Sequence, residues 1–584
     1  EEGSLMSMVD AVTLEILGNR LLSIAEEIGT TLIRTAYSTN IKERRDCSAA
    51  IFDAQGEMIA QAEHIPMHLG SLLGIVKALL ARTSPGDMKP GDTFMTNDPY
   101  SGGGTHLPDI TMVSPVFTQG QLIGFVTNIA HHSDVGGKVP GSTSGDATSI
   151  FQEGVRIPLC RVSDSSGIIQ ESMDFVCLNS RTPSEREGDL AAQVAANRIG
   201  AQRMAELVEH YGVDRFKAVS NALLDYAEAL LRAGIRSLPD TTHTFTDYLD
   251  DDGINLGVPV PIRVTVSING DEAVVDFTGS SAQVAGPINL PLNGTLATVF
   301  YAFKALVGPD IPSNTGIYRA LKVIAPERSI VNCAAPAPVG ERIDTAQRVA
   351  DAIFGAMANV APNRVLAASN SSVTTATFSG DRVDNQGFFV YLETIAGGSG
   401  AHRHGDGLSG VQVHMTNTSN LPVEALEREY PLRVTQYRLR ADSGGPGRYR
   451  GGLGIEREIM ALQNGLTFSG LADRQVIAPW GLDNGEAGAT GEFHHLTPTG
   501  ESFQLASKVS GRLLAEGDRI RVATPGAGGV GDPFARPVNE VSEDVREGWV
   551  SVEAAHARYG VVCNARGEID VAATASLRAL PSSR

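Results

Sequence analysis

Apolar residues at Leu14, Leu17, Leu21, Ile24, Ile28 and Leu32 recur at spacings of three and four. That spacing predicts an amphipathic helix over residues 11–37, with Thr13 suited to cap it. The pattern then switches to period two. CSAAIFD and MIAQAEH flank the Gly-containing AQGE, and DITMVSPVF and LIGFVTNIA flank TQGQ, so each set reads as a β-hairpin. Between them, HLGSLLGIVKALLAR reads as a second helix. Helical spacing returns over 184–236, and PIRVTVSINGDEAVVDFTG reads as a hairpin with Asn269-Gly270 at its turn. Two further helices are expected near 293–307 and 341–360. From about 385 to 530 the chain is rich in β pattern and glycine, with RADSGGPGRYRGGLG as a loop cluster, and 540–584 reads as a small helical tail. No internal repeat or low-complexity linker interrupts this order. The expected fold class is α+β: a multidomain chain of mixed antiparallel sheets with helices and a β-rich C-terminal half. Its 584 residues exceed what one core fills. The pattern divides them at 8–240, 241–380, 381–535 and 536–584.

Composition narrows the function classes. The formal net charge of −20 opposes binding to a phosphate backbone or an anionic membrane surface, and no Lys/Arg block offsets it. No run of about 18 apolar residues predicts a membrane span. The opening EEGSLMSMVD has neither a basic nor an apolar leader pattern, so no secretory signal is expected. Five cysteines, Cys47, Cys160, Cys177, Cys333 and Cys563, are scattered without C-x-x-C spacing. This argues against a disulfide framework or a thiolate zinc site and fits a reducing cytoplasm. Neither a G-x-x-x-x-G-K-[ST] loop nor a G-x-S-x-G elbow is present, and GSTSG carries Thr143 at its centre.

The candidate chemistry lies near residue 100. Five of the thirteen histidines, His64, His68, His106, His131 and His132, fall between 64 and 132. In NDPYSGGGTHLPDI, His106 and Asp109 follow three glycines. In an antiparallel hairpin, the start of the first strand and the end of the second share one edge, so His106, Asp109 and His131 should converge. Asp46 precedes the earlier hairpin, and Glu63 and His64 close it. If both hairpins join one sheet at the same edge, Asp46 reaches the cluster too. Two imidazoles with one or two carboxylates suit a divalent metal ion (Zn, alternatively Mn or Fe) with positions left open, as in a catalytic site. Gly102–Gly104 allow close backbone approach, and Asn97 and Asp98 suit orienting the ligands. His132 and Asp134 suit proton transfer or ligand holding. The same side chains also suit capping turns, and both readings stay open at this level. A second group, His402, His404, Asp406 and His414, reads as a polar Gly-rich loop with H-x-H ligation as the alternative. Glu427 and Glu429 read as a solvated strand edge. TPGAGGVGDP reads as a surface turn, with an anion nest of backbone N–H groups as the alternative.

The stretches STNIKERRDCSAAIFDAQGEMIAQAEHIPMHLGS, NDPYSGGGTHLPDITMVSPVF, NIAHHSDVGGKVPGS, GGSGAHRHGDGLSGVQVHMTNTSNLPVEALEREYPL and SGGPGRYRGGLG, with others in order along nearly the whole chain, resemble the hydantoinase B / 5-oxoprolinase family. The resemblance implies an ATP-dependent hydrolase of cyclic amides, a hydantoin, 5-oxoproline or similar lactam. It implies a hydantoinase A-type partner subunit that handles ATP and Mg and phosphorylates the ring carbonyl oxygen; for so large and acidic a subunit the expected complex is a heterotetramer of two A and two B chains. The family is similar to acetone and acetophenone carboxylases, whose corresponding subunit holds a divalent metal through a His-x-x-Asp and a later His. On the matching motifs here these are His106, Asp109 and His131, with Asp46 as a plausible fourth ligand. A metal-activated water would then open the ring, with His132 or Asp134 as general base. The resemblance assigns His402 and His404 no role. Its alternatives are a subunit of an ATP-dependent ketone carboxylase and a non-catalytic scaffold that closes the partner's site.

Overall fold

The computed structural model describes residues 9–62, 65–383 and 387–579. Glu63 and His64, expected at the end of the first hairpin, lie outside the described residues. The fold class is α+β, with helices packed on several mostly antiparallel sheets.

The first helix, α1 (Ala11–Thr35), buries Leu17, Leu21, Ile24, Ile28 and Leu32, the stripe its spacing predicts. Its cap is Asp10 rather than Thr13. The Asp10 carboxylate accepts the Thr13 amide at 2.7 Å, three positions into the chain, where an N-cap side chain meets an unpaired N–H. Helix α2 (His68–Arg82) follows the first hairpin. The 184–236 pattern is two helices, α3 (Pro183–Tyr211) and α4 (Val213–Arg236), because Gly212 at φ +86° turns the chain between them.

Both expected hairpins form, and they join one seven-stranded sheet. It contains β1 (Cys47–Asp53), β2 (Met58–Ala62), β3 (Thr93–Thr96), β4 (Asp109–Thr118), β5 (Gln121–His131), β6 (Cys160–Asp164) and β7 (Gly167–Ile168), in the order β2-β1-β5-β4-β3-β6-β7. Alternate residues of β1 serve two cores. Cys47, Ala49 and Ile51 pack with α1 and α3, while Ala50 and Phe52 pack with α2. A sheet covered on both faces has no solvated side, which is why its central strands read as near-continuous apolar runs.

The α2 face of this core continues into a second sheet of β8 (Thr241–Leu249), β9 (Val260–Asn269), β10 (Glu272–Asp276) and β11 (Leu321–Ile324). The β9–β10 turn is at Asn269-Gly270, with Gly270 at φ +61°. Helices α5 (Leu292–Val307) and α6 (Arg342–Met357) fill the space between the two sheets. Helix α6 is buried almost all round, including Arg342, Asp344, Arg348 and Asp351, so its polar side chains must find partners inside.

The C-terminal half is β-rich. A sheet of β12 (Thr374–Asp381), β13 (Phe388–Ile395), β16 (Leu466–Leu471) and β19 (Lys508–Leu514) shares a core with a second sheet. That second sheet holds β14 (Leu432–Leu439), β15 (Ile455–Ala461), β17 (Glu492–Leu496), β18 (Ser502–Leu505) and β20 (Arg519–Ala523). Three short helices, Val538–Arg546, Val552–Tyr559 and Val571–Arg578, form the tail. Two local expectations change here. Glu427 and Glu429 lie on a short helix, Val423–Glu429, not on a strand edge. Gly526–Val530 is buried, not a surface turn. Its N–H groups donate to Ala489, Gly452, Ala368, Glu486 and Tyr449 carbonyls, which leaves none to cradle an anion.

Candidate metal centre

The second hairpin pairs Asp109 with His131 as its last register position. The first hairpin lies against it, with Cys47 opposite Ala130, and the His131 N–H donates to the Asp46 carbonyl at 3.0 Å. Asp46, Asp109 and His131 therefore share one sheet edge, and a tight turn returns His106 to it, with the Asp109 N–H on the His106 carbonyl at 3.2 Å. Asn97 holds that loop: its amide nitrogen donates to the Leu107 and Val155 carbonyls and its oxygen accepts the Ile157 N–H. Asp98 instead forms a two-point ion pair with Arg156. Gly104 has φ +45°, and a Cβ there would lie 2.8 Å from the Asp109 carbonyl oxygen, so the approach of loop to strand needs glycine.

One donor atom from each of His106, Asp109 and His131 lies within 4.8 Å of the others, and all three residues are buried. Among the described residues this is the one such group of His, Cys, Asp or Glu side chains. The rings of His106 and His131 are 4.9 Å apart, and His106 Nε2 is 3.2 Å from Asp109 Oδ1. Those two atoms have no hydrogen-bond partner although both are buried, a state that an occupying cation would relieve. His106 Nδ1 faces the Gly340 carbonyl at 3.4 Å. A carbonyl only accepts, so Nδ1 carries the proton and Nε2 presents its lone pair to the centre. Asp109 Oδ2 accepts from Arg342 at 2.9 Å, which fixes the carboxylate with Oδ1 turned inward. The Asn40 amide nitrogen lies 2.8 Å from His131 Nδ1 and donates to the His131 carbonyl at 2.7 Å. In this orientation Nδ1 accepts, so ligation through His131 Nε2 would move the ring proton to Nδ1 and turn the Asn40 amide, giving up its bonds with Arg44 and the His131 carbonyl. These residues fit a divalent cation.

Electrostatics agree with that chemistry. Burial, reinforced by Arg342, lowers His106, and burial with His106 lowers His131 well below the ordinary imidazole range. Both are neutral, as ligands must be. Burial pushes the Asp109 carboxyl up, but His106 and Arg342 outweigh it and hold the group well below its usual range. Asp46 is pushed up to about 6 by burial, against the pull of Arg44.

A cavity of about 60 Å³ opens on the trio, and Asp46, His68 and Arg342 also line it. The Asp46 carboxylate is outside the 4.8 Å group. His132 and Asp134 do not line the cavity. His132 Nε2 meets Gln193 Oε1 at 2.9 Å, and burial, then Arg186, lowers its pKa to about 4. Asp134 accepts the N–H groups of Gly136, Gly141 and Arg181 and the Arg181 guanidinium. In the second histidine group, Asp406 is held by Arg536 and His414 by Asp351. The structure adds three residues that sequence reasoning did not single out. His68 Nε2 is 4.0 Å from Asp109 Oδ1; Arg342 reaches in from the start of α6; and Asn40 sits on a single helical turn, Thr39–Lys42. His68 was visible only as one more histidine in the crowded stretch, and nothing near Arg342 in the chain marks it.

A profile of the hydantoinase B/oxoprolinase family matches residues 10–533. The chain belongs to this family. Among hydantoinase B/oxoprolinase relatives, a Pseudomonas sp. protein provisionally named as the B-type subunit of a D-/L-hydantoinase is 35% identical, with 98% of each chain covered. The 5-oxoprolinase of Dictyostelium discoideum is 36% identical over 90% of this chain, which matches 40% of that longer protein. The crystal structure of ATP-dependent caprolactamase from Pseudomonas jessenii superposes with a TM-score of 0.91 at 31% identity, over 98% of this chain and all of that one. A nucleotide-free acetone carboxylase structure has the same TM-score at 20% identity, over 98% of this chain and 82% of that one, and shares the fold. Among the described residues, no helix of this family member is long and apolar enough to cross a membrane.

Proposed function

We propose that this chain is the B-type subunit of an ATP-dependent cyclic amide hydrolase, in which His106, Asp109 and His131 hold a divalent cation beside the reacting ring. The observation that carries the reading is the buried trio with two unpartnered ligand atoms at a cavity, in a chain matching a caprolactamase along its whole length. A ring amide is a poor electrophile because resonance stabilises it. Transfer of a phosphoryl group from ATP to the carbonyl oxygen makes that oxygen a leaving group. Water then adds to the carbon, the C–N bond breaks as the ring nitrogen takes a proton, and a second water displaces phosphate from the resulting acyl phosphate to give the open-chain acid. A divalent cation supplies Lewis acidity that lowers the pKa of a coordinated water toward neutrality. This chain's residues do the rest. Arg342 is the cationic side chain on the cavity wall, and threonine hydroxyls, Thr143 and Thr375 among them, share that wall; both suit a phosphoryl group. Asp46 and His68 line the cavity, so we give them proton transfer, and assign His132 and Asp134 to holding the sheet edge and its loop.

ATP would be handled by an A-type partner, two of each chain forming the complex. The naming of the Pseudomonas relative as one subunit of a hydantoinase and the greater length of the 5-oxoprolinase support a partner. The test is metal content and ATP-dependent opening of caprolactam, 5-oxoproline and a hydantoin by the chain with its partner, beside His106→Ala and His131→Ala. Near-stoichiometric metal and turnover, both lost in each variant, are expected. Either alanine variant retaining both would refute the reading.

A further inference from the structure

Glu153 is 1% exposed, ends the helical turn Ile150–Gln152, and does not line the cavity. Among the described residues it forms no ion pair, and burial pushes its carboxyl up to about 8; a buried acid of this kind is kept only where hydrogen bonds compensate. Its partners are two backbone amides. Glu153 Oε1 accepts the N–H of Val339 at 2.9 Å and of Gly340 at 2.8 Å, and Oε2 accepts Val339 again at 3.1 Å. The carbonyl of Gly340 is the group that faces His106 Nδ1. The rest of this segment is pinned as well: the Pro336 carbonyl accepts from Ile150, the Pro338 carbonyl from Asn289, and the Glu341 N–H donates to Pro287. A Cβ at Gly340 would lie 3.1 Å from Glu153 Oε1, so an alanine there would press on the clamp and shift it by a few tenths of an ångström.

We propose that Glu153 is a positioning residue for the metal centre: by clamping the amides of Val339 and Gly340 it aims the Gly340 carbonyl at His106 Nδ1 and keeps His106 Nε2 free of a proton for a cation. The proposal rests on the reading of His106, Asp109 and His131 as a cation site. Without the clamp, the Val339–Gly340 peptide loses its anchor and the Gly340 carbonyl is held from one side only, by the Glu341 N–H on Pro287; the His106 ring then gains freedom to rotate and to put its proton on Nε2, and a ligand position is weakened without any ligand being changed. Outer partners of metal-ligating histidines act through this orientation of the ring and choice of tautomer.

The test is zinc affinity of the metal-free full chain, read by competition with a chromophoric chelator, for wild type, Glu153→Ala, Glu153→Gln and Gly340→Ala. Glu153→Ala and Gly340→Ala should each bind zinc roughly 10- to 100-fold more weakly. Glu153→Gln, whose amide oxygen still accepts an N–H, should recover part of the loss. Cobalt-loaded Glu153→Ala should show displaced d–d bands, which a purely structural role would not move. A structural role would instead lower the melting temperature and leave the affinity of the folded protein unchanged. If Glu153→Ala does not fold, Glu153→Gln and Gly340→Ala decide on the same scale. Wild type that binds zinc while the folded variants match it overturns the role of Glu153 alone. Wild type that binds none overturns the cation site itself.

Discussion

Replacing Asp109 by asparagine separates what this residue does for the fold from what it does for a cation. Asp109 is fully buried and accepts from Arg342, itself 6% exposed, at 2.9 Å. Breaking a buried ion pair by neutralising one partner costs roughly 3–5 kcal/mol, because the other charge stays behind. Asparagine keeps the shape and one acceptor oxygen, and a hydrogen bond to a charged group recovers about 1.5–3 kcal/mol. The net loss for Asp109→Asn is therefore ~2 kcal/mol, or roughly 30-fold in the opening equilibrium. Arg342→Met should cost a similar amount, since it strands the Asp109 carboxylate with only the imidazoles of His106 and His68 close by. The double variant removes both charges and should be far less destabilised than the two singles added together, with a coupling of ~2 kcal/mol. A chain of several packed sheets unfolds in more than one step. The readout is accordingly hydrogen–deuterium exchange of peptides covering 109–131 in metal-free protein, with zinc affinity measured in parallel. Asp109→Asn and the double variant should lose zinc, whereas Arg342→Met should keep it or bind it more tightly, having lost a neighbouring cation. Additive destabilisation would refute the pairing, and undiminished zinc binding by Asp109→Asn would refute its place as a ligand.

Two further outcomes follow from the same edge. His132 is held at about 4 by burial and Arg186, against about 6.5 when unfolded. The stability of its neutral form is complete above about pH 6.5 and is lost as pH falls toward 4, by about 3 kcal/mol in all; His132→Asn should flatten the loss of exchange protection in peptides covering 109–131 across that window, and an unchanged slope would contradict the assignment. Gly104→Ala should destabilise the 97–108 loop by about 1–2 kcal/mol from its positive φ alone and weaken zinc binding by pressing on Asp109; both are read by the same exchange and competition assays, and a neutral effect would show that the loop adapts.

How much of this was legible in the chain depends on how far apart the interacting residues are. The trio was readable because each member sits at the end of a local hairpin. Period-two patterning and a short turn fix the register, and the register alone puts Asp109 opposite His131. Asp46 needed one more inference, that the hairpins are neighbours, and β1 does lie against β5. Arg342, Gly340 and Glu153 were not readable. Each enters from a different segment, and no local period relates residue 153 or 340 to residue 106. Arg342 opens a helix whose charged residues look solvated in sequence but are enclosed between two sheets. Gly526–Val530 misled for a related reason. Composition does not distinguish a solvated glycine turn from glycines interleaved with the backbones of Gly445, Gly452 and Ala368.

Charge balance at the centre carries a last prediction. Two carboxylates, Asp46 and Asp109, face two guanidiniums, Arg44 and Arg342, and the imidazoles of His106 and His131 are held neutral by burial. Arg44 is wholly buried and committed to Asn40, the Leu392 carbonyl and Thr394. Before any ligand arrives the site is thus close to neutral. A divalent cation would leave two uncompensated positive charges away from bulk water, which is unfavourable unless an anion follows. A phosphorylated ring brings that charge to the cavity wall where Arg342 lies. At ~4 Å and an effective dielectric constant of ~20, opposite unit charges attract by ~4 kcal/mol before desolvation is subtracted, so a net coupling of about 1–3 kcal/mol is reasonable, and it must be reciprocal. Inorganic phosphate titrated calorimetrically into zinc-loaded protein should then bind roughly 5- to 150-fold more tightly than into metal-free protein. Equal affinities would mean that the cation and the phosphoryl group do not share this cavity, and the anion would have to be met by the partner chain instead.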